Sequence, residues 1–406
     1  MADEYIPRFL ESVLHKAAGE FPAVVLVGPR QSGKTTLLKH LFAAQFRIIS
    51  LEPPDVRLAA QSDPRGFLSL YPAPAAFDEI QYAPGLLPYI KEKIDANRNQ
   101  VGQYILTGSQ NLLLMSQVTE SLAGRAAVVK LMPLSCREQA RMPARAFPWE
   151  ISSLATLSVS TASELWAHIL RGFYPELVAN PGRDARLWQA SYIQTFLERD
   201  VRNLRNLGNL TQFQVFLRAL AARSAQIINL SEVARDVGVV VNTIKDWISI
   251  LEASFQVFLL RPYYANIGKR LIKSPKVYFM DTGLLCYLVG LRDGEHAAAG
   301  PMGGAIFENL VMADLYKTYL SRGEEPPLYY WRTTSGSEVD VVIETQTGLI
   351  PMEIKLSETP RLEMAKEILT FRRDFQGKAQ PGYVVYSGNM ILPLGGAATA
   401  LPVEHL

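Results

Sequence analysis

Two cysteines in 406 residues, Cys136 and Cys286, are too few and too far apart for a disulfide framework or a cysteine-based metal cluster. No apolar run approaches the ~20 residues that a membrane-spanning helix needs, which excludes a helical membrane anchor and a membrane partner. The formal net charge is only +2, so bulk charge cannot carry nucleic-acid binding and any such contact must come from local basic clusters. The opening Met-Ala-Asp-Glu-Tyr is acidic and lacks the apolar core of a signal peptide, so a reducing, cytoplasmic setting is expected. Apolar character is not scarce. At 48% hydrophobic and 20% charged residues the composition excludes disorder, and the length predicts two to four domains.

One stretch declares its chemistry. Gly28-Pro29-Arg30-Gln31-Ser32-Gly33-Lys34-Thr35 fits the phosphate-binding loop, a glycine, any four residues, then Gly-Lys-Ser/Thr. Ala23 to Val27 before it is a short apolar run that predicts a buried parallel strand. Thr36 to Phe42 after it has apolar residues at helical spacing. Strand, glycine loop and helix are what a triphosphate needs: bent backbone N–H groups and the positive end of a helix dipole. The predicted nucleotide-binding set is Gly28, Pro29, Arg30, Gln31, Ser32, Gly33, Lys34, Thr35 and Thr36. Lys34 reaches the β- and γ-phosphates and the Thr35 hydroxyl holds magnesium. ATP and Mg2+ are therefore the expected cofactors.

Arg47 to Leu51 reads as a second strand, and prolines at 53, 54 and 64 predict a loop over 52–66 with at most a short helix. Ala75-Ala76-Phe77-Asp78-Glu79-Ile80 is an apolar strand ending in two carboxylates. Asp78 is assigned to the metal and Glu79 to the attacking water. The strand Tyr104 to Thr107 ends in Gly108-Ser109-Gln110-Asn111, and Ser109, Gln110 or Asn111 is placed to bond the γ-phosphate or the water. A helix over 111–122 ends at Gly124-Arg125, and Ala126 to Leu131 is a fifth strand.

This order of motifs resembles the AAA+ ATPase superfamily. The Gly-Pro-Arg-Gln-Ser-Gly-Lys-Thr-Thr and Asp-Glu-Ile-Gln stretches are similar to one bacterial and archaeal branch of it. The resemblance implies a parallel-sheet α/β core, a first sensor at Ser109, and a homo-oligomer, a hexamer. It also implies an arginine finger at Arg125, reaching the neighbouring subunit's nucleotide. The same arginine equally suits a plain helix C-terminus.

Past a Pro-, Ala- and Ser-rich connection at 143–162, helical patterns at Leu165–Leu170 and Tyr192–Leu204 correspond, by the same resemblance, to a helical lid. Region 211–290 reads as a helix over 211–223, then two short helices around Gly238, the second with an apolar stripe of Ile244, Trp247, Ile248 and Leu251 and capped by Asn242-Thr243. An extended segment and a basic hairpin follow, carrying Lys269, Arg270, Lys273 and Lys276. The whole is similar to a winged helix. Asn242, Thr243 and Lys245 are then expected to face DNA, and the four hairpin cations its phosphates. A winged helix used for protein contacts is the other reading.

After a Gly- and Ala-rich connection at 293–304 comes a helix with Glu308 near its start, then Asp340 on one strand and Glu353-Ile354-Lys355 ending the next. Glu353 and Lys355 share a face because strand side chains alternate. The pattern resembles the restriction-endonuclease-like fold, with Glu308, Asp340 and Glu353 as metal ligands and Lys355 orienting water. Val339 stands where a proline often precedes that aspartate, and an active and a degenerate nuclease both remain open.

The expected architecture is thus α/β: a P-loop ATPase core over 1–150, a helical lid over 151–210, a winged-helix domain over 211–292 and an endonuclease-like domain over 300–406. The expected function is an oligomeric, ATP-hydrolysing motor or switch acting on branched or duplex DNA, with four-way (Holliday) junction processing as one specific reading. The alternatives are a nucleotide-dependent scaffold for a protein partner and an ATP-gated, metal-dependent nuclease.

Overall fold

A computed structural model describes residues 5–109, 121–151, 161–196, 210–264 and 273–406. The expectations for Gln110, Asn111, most of the 111–122 helix, Lys269 and Arg270 lie outside the described residues.

The first sheet has five parallel strands in the order β2-β3-β4-β1-β5: Arg47–Ser50, Ala75–Asp78, Tyr104–Gly108, Ala23–Val27 and Ala126–Lys130. Every residue of β1 and β4 is buried, which explains why both read as unbroken apolar runs. The helix Lys34–Phe42 springs from the carboxyl end of β1.

The loop expected over 52–66 is instead two helices, Pro54–Ser62 and Pro64–Leu70. Both prolines sit in the first turn, where a missing N–H costs nothing, so here proline starts a helix rather than breaking one. Asp63 caps the second by accepting from Gly66 N at 2.9 Å. The region expected to form a lid holds the helices Ala162–Arg171, Pro175–Ala179 and Ala185–Thr195.

The helices Leu210–Ala221, Leu230–Val237 and Val241–Ala253 follow. Asn229 caps the middle one, and Gly238 closes it in the left-handed conformation, φ 75°. Asn242 and Thr243 are not its successor's cap: that helix begins at Val241 behind Val240, and both residues lie within its first turn.

The hairpin β6 (Val257–Pro262) and β7 (Lys276–Phe279) is antiparallel, with Leu260 opposite Lys276. It does not stand apart. Arg261 and Pro262 of β6 pair in parallel with Tyr329 and Tyr330 of β8 (Leu328–Arg332). Five further strands complete that sheet: β9 (Glu338–Thr345), β10 (Gly348–Lys355), β11 (Gly382–Tyr386), β12 (Leu392–Leu394) and β13 (Ala398–Pro402). One eight-stranded mixed sheet therefore runs β12-β13-β11-β10-β9-β8-β6-β7. The Gly303–Ser321 helix, buried along most of its length, packs on this sheet and reaches β5 of the first. Among the described residues no helix is long and apolar enough to cross a membrane.

Candidate functional site

The glycine loop closes into a cradle for reasons visible atom by atom. A Cβ on Gly28 would lie 2.1 Å from the Leu131 carbonyl oxygen, so only glycine lets the loop pass that close to the end of β5. Gly33 adopts φ 96° at the start of the helix, a conformation that costs glycine little. Gln31 is held at φ 62°, a value non-glycine residues adopt sparingly. The Lys34 ammonium is buried and donates to Gly28 O at 3.0 Å and Pro29 O at 2.9 Å. Thr35 Oγ1 donates to Asp78 Oδ2 at 2.8 Å. This links the loop to the end of β3, as a shared cation position requires. Thr36 is exposed and Arg30 half-buried.

Glu79 follows Asp78 in a left-handed backbone, φ 60° and ψ 49°, which turns its carboxylate toward the cradle. Strain of this kind in a non-glycine residue costs about 1–3 kcal/mol and needs surrounding support. That support is a small network: Glu79 N donates to Thr107 Oγ1 at 3.2 Å, Ser109 Oγ to Glu79 Oε2 at 3.1 Å, and the Gln81 amide to both Glu79 and Ser109. Thr107 Oγ1 also donates to Asp78. Gln81 and Thr107 were not singled out from sequence, although Gln81 follows the acidic pair by two residues.

A cavity of about 340 Å3 opens beside the cradle. Gln31, Gly33, Lys34, Thr35 and Thr36 line one side, Glu79 another, and Pro175, Glu176 and Ala179 of the Pro175–Ala179 helix a third. The chain's start, Tyr5 to Arg8, closes it. Arg8 is buried and has no counterpart in the sequence reading. Its guanidinium donates to Ser32 O at 3.0 Å and Met132 O at 2.7 Å and pairs with Glu138 at 3.1 Å. Glu138 is held in turn by a capping box with Ser135. Arg8 thus pins the loop backbone from behind. An ordered loop, a buried lysine, a Thr–Asp pair and a strained glutamate fit a magnesium-bound nucleoside triphosphate.

Arg125 lies elsewhere. It precedes β5, whose Ala126 pairs with Ala23 at the start of β1, whereas the loop follows the end of β1. The five residues of β1 lie between the two, roughly 16 Å at ~3.3 Å per residue. Its guanidinium grips Asp95 twice, at 2.7 and 3.0 Å, and this bond holds the Asp95 carboxyl below its ordinary range.

Asn242 and Lys245 are exposed on the Val241–Ala253 helix, with Thr243 half-buried, and Lys273 is exposed before β7. Lys276 corrects the sequence reading: it is not an exposed phosphate contact. Its side chain is 4% exposed and its ammonium lies 2.6 Å from Glu338 and 3.3 Å from Glu308. The alternation of β7 points it inward, and only the eight-stranded sheet reveals which way is inward.

Glu308, Asp340, Glu353 and Lys355 do come together. Lys355 Nζ is 3.2 Å from Asp340 Oδ2 and 2.5 Å from Glu353 Oε2, and Tyr278 donates to Glu308 at 2.6 Å. Burial, reinforced by Asp340, pushes the Glu308 carboxyl up to about 7 against the pull of Lys276, and burial likewise raises Glu353. Burial pulls the Lys276 ammonium down, but Glu308, Asp340 and Glu338 outweigh it and hold it above its ordinary value.

Residues 20–140 match a family described as an AAA domain. Two domains of unknown function match beyond it, DUF8612 over 162–295 and DUF4143 over 303–406. Uncharacterized protein Rv2008c of Mycobacterium tuberculosis is 30% identical over 399 residues, covering 98% of this chain and 82% of that protein. Uncharacterized protein Mb2031c of Mycobacterium bovis matches to the same extent. The chain belongs to their family. The match to them spans the AAA domain of this chain and both regions that follow. Among solved structures, the Walker-type ATPase paby2304 of Pyrococcus abyssi is similar at 16% identity and TM-score 0.45, over 71% of this chain and 99% of that one.

Proposed function

We propose that this family member is an oligomeric motor or switch that hydrolyses ATP and acts on DNA in the cytoplasm. The observation that carries the hydrolysis is the convergence of Lys34, Thr35, Asp78, Glu79 and Ser109 on one cradle beside a nucleotide-sized cavity. Lys34 would exchange its two carbonyl partners for phosphate oxygens. Thr35 and Asp78 would hold Mg2+, which offsets charge on the transferring phosphoryl group. Glu79 would take a proton from the attacking water, and Ser109 and Gln81 would aim that carboxylate. Arg125 sits at the opposite end of its own sheet from the cradle, so as a finger it would serve a neighbour's nucleotide rather than its own, and that reading calls for a homo-oligomer, a hexamer by resemblance.

The DNA reading rests on Asn242 and Lys245, exposed on the second helix of a helix-turn-helix, with Lys273 exposed before β7. A winged helix of this kind places such residues at a groove and its hairpin on phosphates. ATP turnover measured with duplex and with four-way junction DNA tests it: stimulation by DNA is expected, and greater stimulation by the junction would support junction processing. Turnover indifferent to DNA and raised by a protein partner would favour the scaffold. A second reading, a metal-dependent nuclease of endonuclease-like fold, is favoured by the meeting of Glu308, Asp340, Glu353 and Lys355.

A further inference from the structure

A further cavity, of about 370 Å3, lies where the end of the ATPase core meets the Ala162–Arg171 helix, the Gly303–Ser321 helix and the Val403–His405 turn. It shares no lining residue with the cavity beside the phosphate loop. Leu165, Ile169, Phe173, Leu310 and Val403 give it an apolar wall. The one-turn helix Cys136–Gln139 gives it a polar one, through Cys136, Arg137 and Gln139. That turn is fixed from behind, because Glu138 closes a capping box with Ser135 and pairs with Arg8.

Several polar groups of the lining already have partners. Gln139 Nε2 and His168 Nδ1 lie 3.0 Å apart. Glu164 accepts from Thr161 N at 2.8 Å within a capping box. Asp314 accepts from Cys136 N at 2.6 Å, and burial raises its carboxyl toward the neutral form. Burial also raises the Cys136 thiol well above its ordinary range, so it stays protonated and supplies no nucleophile. The cavity is thus built for binding, not for covalent chemistry.

Arg137 differs. Its Nε and Nη2 both donate to Pro143 O, at 3.2 and 3.0 Å, while its Nη1 is buried with no partner. Arg145 keeps its own Nη1 buried without a partner as well, and its charge lies close enough to repel that of Arg137. A buried donor left without an acceptor is costly, and more so on a charged group. Two neighbouring guanidinium groups in this state make an electropositive spot that lacks its anion. Glu404, which lines the cavity from the Val403–His405 turn, and Glu164 limit what that anion can be. They oppose a second negative charge.

We propose that this cavity binds a small amphipathic monoanion, with its carboxylate on Arg137 and its apolar body along Leu165, Ile169 and Phe173. A carboxylate suits the spot because it is singly charged and matches the planar donors of a guanidinium. A phosphate monoester brings nearly two charges at neutral pH and suits it less.

Isothermal titration calorimetry of the nucleotide-free full chain with octanoate tests it, with octylamine and octyl phosphate as probes of head-group charge. One octanoate per chain is expected, and weaker binding of both other probes. Arg137→Gln should weaken octanoate by about ten-fold or more, the loss of one charge-assisted hydrogen bond. Octylamine bound as well as octanoate, or octanoate held equally by wild type and Arg137→Gln, would overturn the anion assignment. Octyl phosphate bound more tightly than octanoate would overturn the single charge, and no saturable octanoate binding would overturn the site. Should Arg137→Gln fail to fold, Arg145→Gln removes the second charge and leaves the bonds to Pro143 O in place. It too should weaken octanoate, and unchanged affinity there would overturn the proposal.

Discussion

Lys34 donates to two neutral carbonyls of its own loop, 2.9 and 3.0 Å away. A phosphate oxygen is a better acceptor than either because it carries charge of the opposite sign, and the charge-assisted hydrogen bond that Lys34 gives it is worth ~1.5–3 kcal/mol. Lys34→Ala should therefore weaken ATP binding by roughly 10–100-fold or more, measured by fluorescent-nucleotide titration. Glu79→Gln keeps the shape and the cradle but removes the base. ATP affinity should hold while kcat falls by about 10²–10⁴, the span of general-base catalysis; normal turnover in both variants would end the hydrolysis reading. Arg8 yields a stability prediction. Arg8→Ala leaves Glu138 buried without its cationic partner, a loss of about 3–5 kcal/mol. Thermal melting should show it, and adding Glu138→Gln should recover part. Lys34, Asp78 and Glu79 were legible because each belongs to a run of consecutive residues. Arg8 was not, since its partners Ser32, Met132 and Glu138 are brought to it only by folding.

The inner strands of the first sheet, β1, β3 and β4, were legible as apolar runs, because a strand flanked by sheet on both sides and covered on both faces has no polar side to show. The helices at Pro54 and Pro64 were not, because proline carries opposite meanings inside a helix and at its first turn. Placement of β5 matters most for function. It starts beside Ala23, so Arg125 faces away from its own cradle. Arg125→Ala should bind ATP normally and hydrolyse it poorly. Mixing it with Lys34→Ala should restore part of the activity, because one interface type then joins an intact cradle to an intact Arg125. Wild-type turnover by Arg125→Ala alone would rule the finger out. The bidentate Asp95 contact is exposed on the carboxylate side, so releasing it is cheap in the way surface ion pairs are. For the hairpin after the helix-turn-helix, changing Lys273 to Ala should flatten the salt dependence of DNA affinity by about one unit of log–log slope. Changing Lys245 to Ala should instead alter preference among DNA sequences. An unchanged slope in the first and unchanged preference in the second would remove both from the interface.

At the scale of the whole molecule, one helix, Gly303–Ser321, ties the regions together. Asn309 accepts from Ser224 Oγ and Phe279 N, both at 2.7 Å, joining it to the helix-turn-helix region. Asp314 accepts from Cys136 N at 2.6 Å, and the buried Lys317 ammonium donates to Leu134 O at 3.1 Å, joining it to the ATPase core. Asp281, near the same lysine, accepts from Phe173 N, just after the Ala162–Arg171 helix, at 2.6 Å. Lys317→Met should cost about 1–3 kcal/mol in unfolding experiments, because the buried Leu134 carbonyl loses its donor and the buried Asp281 and Asp314 lose a nearby positive charge. Replacing both aspartates by asparagine as well should return part of that loss.

What the sequence determined by itself is whatever is local. A loop of eight consecutive residues, the strand before it and the helix after it specify a phosphate site, since the backbone that binds phosphate is the backbone that carries the motif. Alternation on β10 likewise put Glu353 and Lys355 on one face. What only the tertiary structure decided is which way a charge points and what it meets. Lys276 reads as one more cation in a basic stretch, and the pairing of β6 with β8 turns it into the buried partner of Glu308 and Glu338. A charged side chain carries no periodic signal of its own. Its environment is set by long-range strand pairing, and there the same lysine becomes either a surface contact or an internal counter-ion.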